Sequence, residues 1–195
     1  MEPQIFLGTT ATVLGLMGYI VYLKNVFFGR TKPHVFSWLL WSLLAGIGFF
    51  AQISKGAGVG AWVTGMTGVM CLLIAIIGIF SGKDHILRID IWCFIGALLG
   101  VIVWRITDDP LAAVLIVSVI DALAFIPTFR KAYSRPYEET ASAFALAALK
   151  WTLGIIALES LNLTTAIYPA SLVFTNGLFV TMLIVRRTQL HPKMI

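Results

Sequence analysis

Charge is what this chain has least of. Asp, Glu, Lys and Arg make up only 12% of its 195 residues, hydrophobic residues make up 59%, and mean hydropathy is +0.93. A soluble domain carries about 25% charged residues, so this scarcity excludes an ordinary water-soluble fold and reads as an integral membrane protein in contact with a lipid bilayer. Cysteine is almost missing too. Cys71 and Cys93 both fall inside apolar runs without a CxxC or Cys/His spacing, and they read as buried packing thiols with no metal site. The three histidines, at 34, 85 and 191, are scattered beside the apolar runs, and HExxH, GxSxG and Walker A patterns are absent. Neither catalytic residues nor a cofactor is expected, and the chain does not read as an enzyme.

What is present is a series of apolar stretches, each long enough to cross a bilayer at about 17 to 25 residues. Seven can be placed, at about 5–23, 34–53, 58–80, 87–105, 111–129, 140–159 and 164–185. The joins ("KNVFFGRTKPH", "SKGAG", "SGKDH", "ITDDP", "RKAYSRPYEE", "SLNL") are short and carry most of the charge, which leaves no room for a soluble catalytic head. The first stretch does not read as a cleaved signal, because "MEPQ" has no basic residue and no small-x-small site precedes Lys24.

Lys and Arg accumulate in cytoplasmic loops. Eleven of the fourteen lie on one side: Lys24, Arg30, Lys32, Lys83, Arg88, Arg130, Lys131, Arg135, Arg186, Arg187 and Lys193. Lys55 and Arg105 lie on the other, and Lys150 sits within a helix. The expected orientation has the N-terminus outside and the C-terminus in the cytoplasm, with the plasma (inner) membrane as the expected location. The net charge of +5 is accounted for by these topology determinants beside anionic lipid, and no nucleic-acid partner is implied.

A shift of 105 residues lays "YLKNVFFGRTKPHVFSW" (22–38) over "PTFRKAYSRPYEETASA" (127–143), matching Arg30 with Arg135 and Ser37 with Ser142. A shift of 109 places Gly68 on Gly177 and Thr67 on Asn176. Segments 1–3 and 5–7 are expected to enter from the same side, so the expected plan is a triple-helix unit repeated in parallel, with segment 4 as the inverting linker. The division is then 1–82, a linker at 83–108, and 109–195.

This 3 + 1 + 3 plan resembles the PQ-loop and SWEET transporters of the transporter–opsin–receptor superfamily. Their mark is a Pro-Gln or similar dipeptide at the cytoplasmic end of helices 1 and 5, followed by a basic loop. Here "IPTFRKAYSRP" offers Pro127-Thr128, while the first repeat has Tyr22-Leu23. Sugar-transporting members hold substrate with an asparagine in helices 3 and 7; Asn176 matches the second, and Thr67 stands at the first. The resemblance implies transport of a small polar solute. The tryptophan-rich helices also resemble the nicotinamide riboside transporters.

Two charges lie inside apolar runs. Asp121, in "VSVIDALAFIPTFRK", is about 18 Å along its helix from Asp109 and about 13 Å from Arg130, near the bilayer midplane. Lys150 lies at matching depth on the next segment, about 16 Å from Glu139 and 13 Å from Glu159. Facing hydrocarbon, each would cost about 2.5 to 3.5 kcal/mol, so both are expected to point inward. They can form a mutual ion pair that only fixes register, or line a central cavity as solute ligands or a proton carrier. With Asn176 and Thr67 they make up the expected binding set, joined by Trp41, which shares a helix face with His34 and Trp38, and by Tyr168.

Trp38 reads as interfacial belt, and Trp151 reads as packing that points about 100° away from Lys150. Pro127 and Pro169 are candidate gating positions, since a helical proline frees a carbonyl. "GALLG" (96–100) is a GxxxG pattern that reads more as internal packing than as a dimer contact, leaving a homo-oligomer open.

The expected function is a membrane transporter of a small polar solute, a sugar, nucleoside-like vitamin or amino acid, with proton coupling open. The alternatives are a membrane scaffold or accessory subunit and, remotely, a retinal-type photoreceptor. The last is disfavoured because the opsins carry their lysine on helix 7 and segment 7 here has none.

Overall fold

The computed structural model describes residues 2–81 and 109–190, together with scattered positions between 88 and 106. The described residues are helices and short turns without a strand. The helices are α1 (Glu2–Phe27), α2 (Val35–Ser54), α3 (Trp62–Ser81), α4 (Pro110–Ser134), α5 (Ala141–Ile156) and α6 (Leu163–Leu190). All but α5 belong to stretches long and apolar enough to cross a membrane, that of α3 beginning with the 3-10 turn before it. The expected segment 87–105, with Cys93 and Gly100, lies mostly outside the described residues, as does the side chain of Pro127. Of "GALLG", Gly96 stands against Ile120 of α4.

Local chemistry sets several helix ends. His34 caps α2, its Nδ1 accepting from the Ser37 N–H at 3.4 Å. Asp109 caps α4, accepting from Leu111 N–H at 2.9 Å, with Pro110 in the first helical position where its missing donor costs nothing. Between α2 and α3 the chain turns through Gly56 (φ +72°) and Gly58 (φ +57°), a backbone region that side-chain-bearing residues avoid.

Two helices depart from the expected limits. α5 was expected over 140–159 but ends at Ile156, because the next residues turn back. Leu158 buries itself against Ala57 and Ala61 from the α2–α3 connection, and Glu159 N–H reaches Ala57 O at 3.4 Å. α6 was expected to stop at 185 and runs on to Leu190, because Arg187 finds partners there: its guanidinium donates to Pro136 O at 2.8 Å and to Glu139 O at 2.6 Å.

The helices close into a ring. α1 packs on α3, α3 on α2, α2 on α4, α4 on α6, α6 on α5, and α5 back on α1. Sequence neighbours are therefore not always ring neighbours: α6 stands between α4 and α5.

Candidate functional site

The axis of the ring holds a cavity of about 70 Å³ into which all six helices send aromatic or ionisable side chains. All six residues expected to bind solute line it: Trp41 (α2), Thr67 (α3), Asp121 (α4), Lys150 (α5), Tyr168 and Asn176 (α6). Asp121 stands eleven residues into α4, about 17 Å from its start, and is 1% exposed; Lys150 is 2% exposed.

The two charges share the cavity without pairing. Among the described residues no ion pair joins Asp121 to Lys150, so of the two arrangements open to them the mutual register-fixing pair does not form. The reason is the ring order, in which α6 separates their helices. Lys150 Nζ instead donates to Thr67 Oγ1 at 2.7 Å and to Tyr19 OH at 3.0 Å. It also lies 4.5 Å from the Tyr19 ring centroid and 4.8 Å from that of Trp151. Thr67 passes its own hydroxyl proton to Val63 O at 2.7 Å, which orients its oxygen as the acceptor. Two of three ammonium protons are thus held by neutral oxygens and the charge rests on ring faces.

Asp121 is more poorly served. Tyr168 OH reaches its Oδ1 at 3.5 Å, and its Oδ2 is buried with no partner among the described residues. The indole Nε1 of Trp41 is likewise buried and unpartnered. Asn176 donates one amide N–H to Leu172 O at 2.7 Å. Glycine makes these placements sterically feasible: a Cβ on Gly15 would stand 2.8 Å from the Lys150 stem, and one on Gly48 would stand 2.8 Å from the Tyr168 ring.

Sequence reasoning missed much of the wall. Trp38, expected as interfacial belt, is 6% exposed and donates its indole N–H to Tyr22 OH at 3.3 Å. Trp151, expected to point away from Lys150, lies beneath it because the flexible lysine stem bends toward α1 and α3 and lays its ammonium on the ring. Tyr19, Tyr22 and Cys71 also line the cavity; no spacing rule singled them out.

Below the cavity, toward the end where the basic loops gather, six aromatic rings touch in a closed circuit. Centroid separations are 4.7 Å for Tyr22–Trp38, 5.2 Å for Trp38–Trp41, 4.8 Å for Trp41–Phe125, 6.3 Å for Phe125–Phe179, 4.4 Å for Phe179–Phe144 and 6.4 Å for Phe144–Tyr22. Five helices contribute to this collar. Beneath it a polar layer ties the helix ends: Lys131 Nζ donates to Glu139 Oε1 at 2.7 Å and to Lys32 O at 2.6 Å, and the Thr31 and Thr140 hydroxyls meet at 2.7 Å. Burial pushes the Glu139 carboxyl above the ordinary glutamate range, with Lys131 pulling against it.

At the opposite end, Pro169 lies within α6 and is buried. Having no N–H, it leaves the carbonyl four residues earlier, Thr165 O, without its helical donor. Gln52 of α2, 1% exposed, reaches across and donates its Nε2 to that carbonyl at 3.0 Å. Pro169 thus makes a cross-helix tie. No family model, curated protein or solved structure matches the chain.

Proposed function

We propose that this protein carries a small polar solute across the membrane through the cavity at the ring axis. One observation carries the reading: an acid, an amine, an amide and two unpartnered polar atoms converge at mid-depth on one buried space. Such groups cost free energy in a membrane interior unless a ligand or function engages them. The packing order supports the repeated plan, since exchanging α1, α2 and α3 for α4, α5 and α6 maps the ring of contacts onto itself. With the linker at 83–108 as a further span, this gives seven helices in a 3 + 1 + 3 order, N-terminus outside. The aromatic collar and the polar layer beneath it then form the cytoplasmic closure, and the Gln52–Thr165 tie belongs to the outer closure. A photoreceptor fits poorly, because Lys150 is enclosed by Tyr19, Thr67 and Trp151 and leaves no room for a polyene.

The test is uptake in proteoliposomes with labelled sugars, nucleosides and amino acids. A solute that accumulates with the wild-type chain and not with Asp121→Asn supports transport. Absence of uptake and of any thermal shift across the whole panel refutes it and leaves a scaffold.

A further inference from the structure

The cavity holds one carboxylate and one amine, both enclosed, on helices that are not ring neighbours, and neither has a counter-charge within ion-pair distance among the described residues. We infer that the solute is a compact zwitterion, binding with an N–H-bearing ammonium at Asp121 Oδ2 and a carboxylate at Lys150 Nζ. This rests on the transport reading and narrows it.

Each alternative leaves something unmet. A sugar can hydrogen-bond both groups and supplies neither counter-charge. A simple cation neutralises Asp121 but adds a second positive charge beside Lys150, and a simple anion does the converse. Only a solute with both charges compensates both ends, and it enters and leaves without net charge, which lowers the cost of passage through a low-dielectric core.

The hydrogen-bond inventory agrees. Asp121 Oδ2 lacks a donor, which asks for an N–H on the cationic group and disfavours a fully methylated ammonium. Lys150 has one N–H left after Tyr19 and Thr67, which asks for a single further acceptor. The open Trp41 indole N–H offers a second donor to a carboxylate or a side-chain oxygen. The aromatic walls suit an ammonium face. A volume of about 70 Å³ has room for only a few waters, which points to the size of a small α-amino acid.

The experiment measures melting temperature in detergent with the free L-amino acids, their amides (no carboxylate), the corresponding deaminated acids (no ammonium), glucose and uridine. A small L-amino acid should raise the melting temperature by several degrees where its two single-charge analogues at equal concentration do not. Lys150→Met should lower affinity for that amino acid at least tenfold and abolish its advantage over the amide, and Asp121→Asn should lower it likewise and abolish its advantage over the deaminated acid. If glucose or uridine stabilises the protein and the amino acids do not, the zwitterion is wrong while transport stands. If an amino acid binds no better than its amide, the role given to Lys150 is wrong. If nothing stabilises the protein and proteoliposomes take up nothing, the transport reading fails and takes this inference with it. The analogue comparison uses the wild-type chain, so it decides the matter even where a variant does not fold.

Discussion

Replacing Gln52 by Leu removes the donor that serves the carbonyl orphaned by Pro169, and its cost can be worked from the structure. The bond is 3.0 Å long, and both partners lie on buried residues, Gln52 at 1% and Thr165 at 0% exposure. Removing one partner of a buried hydrogen bond costs about 1–3 kcal/mol, because the survivor keeps its desolvation penalty. Part of that is offset, since Gln52 Oε1 is itself buried without a partner and leucine removes it. A net loss of about 1–2 kcal/mol follows, or about 2–8 °C in melting temperature for a chain of this size. The decisive measurement is a double-mutant cycle with Pro169→Ala, by thermal and denaturant unfolding in detergent. Alanine restores an N–H at 169 that can donate to Thr165 O within the helix. Gln52→Leu should then cost about 0.5 kcal/mol or less in the Pro169→Ala background. An equal loss in both backgrounds refutes the idea that Gln52 is there to complete the proline's missing bond.

Two further outcomes are expected. Phe179, which touches Phe125, Phe129 and Phe144 and is fully buried, closes the collar. Phe179→Ala should cost about 3–5 kcal/mol and, in a Cys93→Ser background, speed labelling of the cavity-lining Cys71 by a water-soluble thiol reagent at least tenfold. Unchanged labelling places the closure elsewhere. Glu139, above its ordinary range when folded, binds its proton more tightly folded than unfolded. It therefore favours the folded state below the ordinary glutamate range, and that contribution is lost as pH rises through the raised value. The melting temperature of Glu139→Gln minus that of wild type should rise with pH across that window; a flat difference refutes the assignment.

Much was legible in the sequence because the bilayer is an unforgiving solvent. A chain with 12% charge has no choice but to form apolar helices, and Asp121 and Lys150, isolated in such helices, had to face inward. Asp121 and Lys150 line the cavity for that reason, since a charge in a lipid-spanning helix is costly anywhere but the interior, whereas an exposed threonine such as Thr181 satisfies itself on its own helix. Helix ends were less legible. The stop of α5 at Ile156 depends on Leu158 packing against Ala61, and the extension of α6 to Leu190 depends on carbonyls of Pro136 and Glu139 that lie some fifty residues away.

The sequence by itself determined that the helices are apolar, where charge cannot face lipid, and which end gathers the basic residues. Each follows from transfer free energy, a property of residues one at a time. Only the tertiary structure decided who meets whom. Depth along a helix can be counted from residue numbers, but the direction around the ring cannot. Insertion of α6 between α4 and α5 separated Asp121 from Lys150, which decided between a mutual ion pair and two ends of one cavity in favour of the second. A contact across the ring, between α2 and α6, brought Gln52 to the carbonyl that Pro169 releases, and closure of the ring joined six aromatic rings beneath the site.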